Sequence, residues 1–278
     1  MTNGEIFRKE PIRFHDNIPV FSHLNEYTDN YRKISEDHLE SLRRNGTNPF
    51  IPEDLWLEFE KSTIELIKKY SKQGNRVLDV GVGLGRLLSQ FPHLERYGID
   101  ISFGYLQVAQ SKGINVCYAL VEDMPYREGL FDLVVCTDVL EHVLDLNLCC
   151  ARILSVLKKG GILIIRVPFR ENLSQYLEVT YPYRYVHLRN FDVYSLRLLF
   201  ERIFGCEYIE MATAGYTPGT NRLRYPVPFQ KVNVIACRFV SGIKTVYKPA
   251  YELLLKKLYD PIVINIVVRK GKQTGRFI

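Results

Sequence analysis

The chain has 278 residues, 46% of them apolar, and a formal net charge of +6, enough for one large core and short for two. Its longest apolar run, 262–268, is interrupted by Asn265 and flanked by Asp260 and Arg269, far below the ~20 residues that span a bilayer; a soluble chain is expected, with at most a peripheral membrane contact. Residues 1–10 lack the basic-then-apolar order of a secretory signal, and the six cysteines show no Cys-x-x-Cys pair, which excludes a disulfide framework or zinc site and leaves a cytoplasmic location with reduced thiols as the expectation.

In chain order, residues 1–52 are polar and tyrosine-rich and read as an added helical cap, with a short helix over 37–44 ended by Asn45-Gly46. A main domain is expected over 53–278. Pro52 suits a first helical turn, and Leu55, Phe59, Leu66, Ile67 and Tyr70 recur at helical spacing, so a helix should run to about Lys72. Short apolar strands then alternate with helices: strand 76–80, helix 85–90, strand 96–99, helix 103–111, strand 114–119, strand 131–136, helix 146–157 and strand 162–167. Lys158-Lys159-Gly160-Gly161 should close the 146–157 helix with cations at its negative end and a left-handed glycine. A helix over 192–204, a sixth strand over 207–211 and a seventh over 262–268 complete an α/β pattern of a parallel sheet with helices on both faces.

Strand 76–80 ends in Asp79-Val80-Gly81-Val82-Gly83-Leu84-Gly85, a glycine-rich turn that lets a ligand approach the backbone beside a helix start. The dinucleotide fingerprint needs its third glycine where Arg86 stands, which argues against NAD. The next strand ends in Gly98-Ile99-Asp100, and a carboxylate there can accept two ribose hydroxyl protons. Adenosine without a pyrophosphate fits both features; a ligand-free tight turn, with Asp100 as a helix N-cap, is the bland alternative.

Taken in order, 76–85, Tyr97-Gly98-Ile99-Asp100, Glu122-Asp123-Met124-Pro125-Tyr126, Phe131-Asp132-Leu133-Val134-Val135 and Leu157-Lys158-Lys159-Gly160-Gly161 resemble the successive motifs of class I S-adenosylmethionine-dependent methyltransferases. The similarity covers about 55–211 and is closest to the small-molecule, type 11 branch that includes ubiquinone-biosynthesis and glycan-modifying O-methyltransferases. The resemblance implies a Rossmann-like sheet of seven strands, the last antiparallel, with S-adenosyl-L-methionine as cofactor. It also implies that Asp79, Gly81, Gly83 and Gly85 surround the methionine moiety, Asp100 and Ile101 the ribose, and Val121, Glu122, Asp123 and Met124 the adenine, with Thr137 and Asp138 closing the site. Relatives often carry an acid where Leu120 stands; either Glu122 or Asp123 replaces it, or backbone and apolar contacts alone read the adenine.

A sulfonium methyl is already activated, so the protein must align an acceptor and, for a hydroxyl, remove a proton. Asp138, Glu141 and His142 follow the fourth main strand at the ligand-binding edge, and a helix starting there would set Asp138 and His142 on one face. Asp138 and His142 are base candidates. No metal is required by the sequence, although ubiquinone-type relatives use a similar run for a divalent ion, which makes Asp138, Glu141 and His142 its candidate ligands; capping and packing are the alternative. His187 lies in a long aromatic loop with Tyr176, Tyr181, Tyr183 and Tyr185 and is a further base candidate. Residues 216–260 hold eight Lys and Arg against two acids; this basic, aromatic insertion between strands six and seven is expected to cover the acceptor site or form an oligomer contact and to favour an anionic acceptor such as a phosphorylated sugar or glycan. The alternatives are a quinone or secondary-metabolite hydroxyl, an RNA hydroxyl and a non-enzymatic binding protein. Nucleic-acid base methylation is disfavoured, because Thr137-Asp138-Val139-Leu140 is neither an Asn/Asp-Pro-Pro-aromatic run nor a proline-cysteine nucleophile.

Overall fold

The computed structural model describes residues 3–219 and 222–271; the expectations on 220–221 and on the last residues, 272–278, lie outside them. The elements are α1 (Asn3–Ile6), β1 (Arg13–His15), β2 (Ile18–Val20), α2 (Glu26–Asn45), α3 (Glu53–Tyr70), β3 (Arg76–Val80), β4 (Glu95–Asp100), α4 (Phe103–Ser111), β5 (Asn115–Tyr118), β6 (Phe131–Thr137), α5 (Leu146–Val156), β7 (Leu157–Pro168), α6 (Val193–Arg197), β8 (Glu207–Ala214), α7 (Gln230–Val246), α8 (Lys248–Leu258) and β9 (Val263–Arg269). They build one mixed sheet in the order β1-β2-β5-β4-β3-β6-β7-β9-β8. The strands from β5 to β7 run parallel, and β9 is antiparallel to both β7 and β8. This is the expected Rossmann-like α/β class with its last strand reversed.

Because side chains alternate along a strand, the sheet has two distinct faces. Leu78, Val80, Val134, Cys136, Leu163 and Ile165 share one cluster with Ile153 and Leu154 of α5 and with Leu196 of α6. Val77, Leu133, Val135, Ile162 and Ile164 share the other with Ile64 and Ile67 of α3 and Leu106 of α4. Asp79, Arg166 and Asn265 alternate with the first set and so fall on the α3 face. There Arg166 and Asn265 are register partners on β7 and β9. Thr63 of α3 bridges them, its Oγ1 accepting from Arg166 Nη1 (3.1 Å) and donating to Asn265 Oδ1 (2.9 Å). Burial without such partners would cost several kcal/mol, about 1–3 per unsatisfied group.

Five expectations are corrected. Among the described residues the sheet has nine strands instead of seven, because residues 13–20 form a short hairpin that adds β2 beside β5 through Val20 and Tyr118. The N-terminal segment also enters the core, with Ile6 and Phe21 in one cluster and Ile18 and Val20 in the other. The helix expected at 37–44 starts at Glu26, opened by a capping box between Asn25 and Thr28; its buried side chains, Thr28, Ser35 and His38, are polar, which hides its inner face from any apolar period. The helix expected over 85–90 is a single 3-10 turn, Leu88–Gln90. The three left-handed glycines Gly81, Gly83 and Gly85 use up the start of that connection and Pro92 closes its end, so no helix dipole stands behind the glycine loop. Finally, α5 ends at Val156 and passes straight into β7 through an extended Leu157. Lys158 pairs with Asp132 (2.6 Å) instead of facing the helix end.

Candidate functional site

Two cavities adjoin at the carboxyl edge of the sheet, of about 320 and 630 Å3, the size range of small-ligand sites. Ile34, Asp138 and His142 line both.

The smaller cavity collects Asp79, Gly81 and Gly83 from the end of β3, Asp100 and Ile101 from β4, Val121 and Glu122 from the turn after β5, and Thr137 and Asp138 after β6. Three of the expected residues fall outside it. Gly85 instead lets the loop pack on α4: a Cβ there would sit 2.7 Å from Ile114 Cδ1 and 3.0 Å from Ala109 Cβ. Met124 is buried in the core, and Asp123 accepts a hydrogen bond from Ser22 Oγ (2.6 Å), whose oxygen also takes the Leu120 N–H (2.9 Å). Of the two acids considered for the adenine, Glu122 is the one left on the cavity wall.

Sequence reasoning missed the roof and one side wall. Tyr27, Tyr31 and Ile34 come from α2, Trp56 and Glu60 from α3, and Arg166 from β7. Arg86, which excluded the dinucleotide pattern, also lines the cavity. Its guanidinium is bound by Glu60 (2.7 Å) and Glu53 (3.0 Å) and lies over the Trp56 ring, 4.0 Å from its centroid.

The electrostatics of this cavity ask for a cation and for hydroxyl donors. Asp79 is buried and its Oδ1 has no hydrogen-bond partner. Burial pushes its pKa well above the usual carboxylate range, Arg166 opposes this, and the charges of Asp100 and Asp138 add to it. An ammonium beside it would satisfy the orphaned oxygen and restore the charged form. Asp100 accepts the Gly83 N–H on one oxygen and the Ser102 N–H on the other, both at 2.9 Å, which leaves each oxygen a lone pair for a ribose hydroxyl. An adenosine joined to an amino acid therefore fits the residues present.

Two consequences can be measured. Burial raises Asp100 to about 6, against the backbone N–H groups of Gly83, Ser102 and Ile101. Ribose hydroxyls donate to the charged form, so affinity for the adenosine ligand should weaken as pH falls below about 6, by up to about tenfold per unit. Calorimetry of Asp100→Asn should show this component removed. At Gly81, with φ +73°, a Cβ would lie 2.4 Å from Val139 Cγ2, whereas at Gly83, with φ +48°, the nearest atom is 4.0 Å away. Left-handed strain alone costs about 1–2 kcal/mol, so Gly81→Ala should lower the melting temperature and ligand affinity clearly more than Gly83→Ala; equal effects would contradict this packing.

Residues 78–165 match the family described as methyltransferase domain. This segment, about a third of the chain, carries the methyltransferase-domain signature. The chain is 35% identical over 100 residues to the ubiquinone biosynthesis O-methyltransferase of Bradyrhizobium sp., covering 33% of this chain and 39% of that one. It is 30% identical over 158 residues to the ubiquinone/menaquinone biosynthesis C-methyltransferase of Stutzerimonas stutzeri, covering 52% and 56%. It spans about half the length of the curated relatives it matches. Among solved structures, an S-adenosylmethionine-dependent methyltransferase of Thermotoga maritima superposes with a TM-score of 0.56 over 88% of this chain and 100% of that one, at 16% identity, a likeness of fold. S-adenosyl-L-methionine is the cofactor of such a domain.

The larger cavity is walled by Phe50, Phe59, Tyr176, Tyr181, Tyr183 and Tyr185, with His187, Glu141, Glu171 and Arg222 among them. Its cover is the 168–192 loop, held by α2: Asn30 Oδ1 accepts the backbone N–H groups of Arg184 (2.9 Å) and Tyr185 (3.1 Å), and Tyr183 donates to Asp37 (2.7 Å). The 216–260 insertion contributes Arg222 from the described residues, whose guanidinium donates to the carbonyls of Phe169 (2.9 Å) and Pro261 (3.2 Å). Its remaining cations lie outside this lining, because α7 and α8 form a separate hairpin closed on Val240, Leu255 and Tyr259.

The three base candidates differ in their surroundings. Asp138, at φ +55° in a turn instead of a helix, gives both carboxylate oxygens to the Arg166 guanidinium. His142 accepts or donates at Nδ1 with Tyr31 (2.9 Å); burial, then the charge of His187, pushes it down to about 3, while a hydrogen bond with the Val186 backbone opposes this. It therefore stays a neutral imidazole. His187 Nδ1 is in contact with Glu171 Oε2, and Tyr176 donates to Glu171 Oε1 (2.7 Å). Burial raises the Glu171 pKa, and the hydrogen bond and charge of His187, with help from Tyr176 and Arg222, outweigh it and leave it below its ordinary value. Among the described residues the metal-donor grouping is Glu141, His142 and His187, whose donor atoms lie within 4.8 Å of one another; Asp138, expected in that set, is taken by Arg166.

Proposed function

We propose that this chain transfers the methyl group of S-adenosylmethionine to a hydroxyl of a small ring-bearing acceptor, a quinol, phenol or sugar, held in the tyrosine-walled cavity. The observation that carries this reading is the Glu171–His187 pair. A carboxylate on Nδ1 fixes the tautomer that leaves Nε2 as the proton acceptor, and the pair lines a cavity that meets the cofactor cavity at Ile34, Asp138 and His142. Bound S-adenosylmethionine supplies an activated methyl and leaves as S-adenosylhomocysteine. Asp79 holds its ammonium, Asp100 its ribose, Gly81 and Gly83 admit it to the backbone, and Val121 and Glu122 border the adenine. Tyr176 keeps Glu171 in place, Glu171 orients His187, and His187 takes the hydroxyl proton.

An anionic acceptor loses its support, since the cations that suggested it stand away from this cavity and Arg222 is engaged by carbonyls and offset by Glu171. The tyrosine rings suit a flat or pyranose ring. Feeding methyl-labelled S-adenosylmethionine with a panel of quinols, phenols and sugars should place the label on oxygen. Label on carbon or nitrogen would refute the hydroxyl assignment.

Glu141 favours a second reading. It is fully buried with neither oxygen partnered, and burial, then the charge of Asp138, holds its pKa well above the usual range. A divalent cation on Glu141, His142 and His187 would compensate that carboxylate and acidify a hydroxyl ligand. Titration of the protein with magnesium or zinc separates the readings: saturable binding lost in Glu141→Gln supports the metal, and turnover unaffected by a chelator supports the base.

A further inference from the structure

The insertion that does not line the acceptor cavity presents an apolar face to solvent. The inner side of α7 closes the hairpin with Val240 and Cys237. On its other side Phe229, Val232, Ile235 and Phe239 are 71%, 50%, 65% and 70% exposed, and at helical spacing Val232, Ile235 and Phe239 fall within an arc of about 60°. A solvated helix face is ordinarily polar, and a contiguous exposed apolar stripe marks an interaction surface.

Charge identifies the partner. Lys231, Arg238, Lys244, Lys248, Lys256 and Lys257 of α7 and α8 are all exposed, against the single acid Glu252, and none of them forms an ion pair among the described residues. The hairpin is also rooted beside the acceptor cavity: the Arg224 N–H donates to the Leu258 carbonyl (2.9 Å), the Asp260 N–H to the Arg222 carbonyl (2.8 Å), and Arg222 and Ile262 line that cavity. Next to the cavity residues Tyr176 and Tyr181, the 168–192 loop exposes Leu177 and Val179 almost completely.

We propose that α7 lays its Val232, Ile235 and Phe239 stripe, with Phe229 just before its first turn, into the surface of an anionic phospholipid bilayer, with Lys231, Arg238 and their neighbours at the headgroups. Apolar burial plus headgroup attraction is the combination that holds amphipathic helices at an interface. Aliphatic Val232 and Ile235 at the centre of the stripe favour lipid over a nucleic acid, which would stack on aromatic rings. The proposal does not rest on methyl transfer, and its test reads partition alone, so either can fail without the other.

Flotation of the full chain with phosphatidylcholine vesicles, with and without roughly one third phosphatidylglycerol, at about 0.1 M salt tests it. The chain should float with the anionic vesicles and stay behind with phosphatidylcholine alone. Ile235→Ser with Phe239→Ser should lower the partition coefficient at least about tenfold, and Lys231→Gln with Arg238→Gln about fivefold per cation. Both pairs are exposed, and unchanged melting temperatures confirm their folding. A wild-type chain that stays with the protein fraction overturns the proposal. So does a concentration-dependent dimer broken by Ile235→Ser with Phe239→Ser, which would assign the face to a second copy, or retention on RNA in place of vesicles.

Discussion

Asp79→Asn is expected to weaken S-adenosylmethionine binding at least about a hundredfold while leaving the ligand-free protein as stable as the wild type or more so. The two effects have one cause. Asp79 is buried on the α3 face of β3 with an unpartnered oxygen, a costly arrangement unless a ligand cation completes it. Removing one member of a buried ion pair costs about 3–5 kcal/mol, which is more than two decades in affinity. Without ligand the same substitution deletes an uncompensated acid. Because the folded pKa is raised, the carboxyl is tolerated in the fold below its unfolded pKa and becomes destabilising as pH rises through the folded one. The stability advantage of Asp79→Asn should therefore grow from acid toward neutral pH, as thermal unfolding across that range would show. A variant less stable than wild type at neutral pH, with unchanged affinity, would make Asp79 a packing residue.

His187→Ala should lower turnover by about 10²–10⁴-fold with little change in cofactor affinity, since His187 lines the acceptor cavity and not the cofactor cavity. Glu171→Gln should have a smaller effect in the same direction, because Gln can still hold the ring but cannot stabilise its protonated form. Combining the two should add little beyond His187→Ala, as expected for groups that act as one unit. Steady-state release of S-adenosylhomocysteine, with cofactor binding measured separately, checks both. A Glu141→Gln loss as large as that of His187→Ala, with wild-type turnover abolished by a chelator and restored by zinc or magnesium, would favour the cation reading.

The central strands were readable because buried parallel strands are short apolar runs ended by glycine or acid, and β3, β4 and β6 follow that pattern closely. What escaped the sequence has specific causes. Helix α2 buries Thr28, Ser35 and His38, so hydrophobic periodicity found only its end; the Asn25/Thr28 capping box was the available signal. Arg166 and Asn265 each interrupt an apolar strand, and a charge in a fully buried strand demands a partner, yet that they are neighbours across β7 and β9 is a tertiary fact. His187 was in view in the long loop, but its pairing with Glu171 over sixteen positions depends on how α2 pins that loop. The charge of 216–260 was legible as a local excess, but composition does not say which side of a helix carries it, and of these cations Arg222 lines the larger cavity.

The most direct test is equilibrium binding of S-adenosylhomocysteine and NAD to the wild-type chain. The account predicts one saturable S-adenosylhomocysteine site per chain, competed by S-adenosylmethionine, with no NAD binding because Arg86, locked to Glu60, stands where a dinucleotide site needs glycine. Absence of saturable S-adenosylhomocysteine binding, or NAD bound equally well, would contradict it.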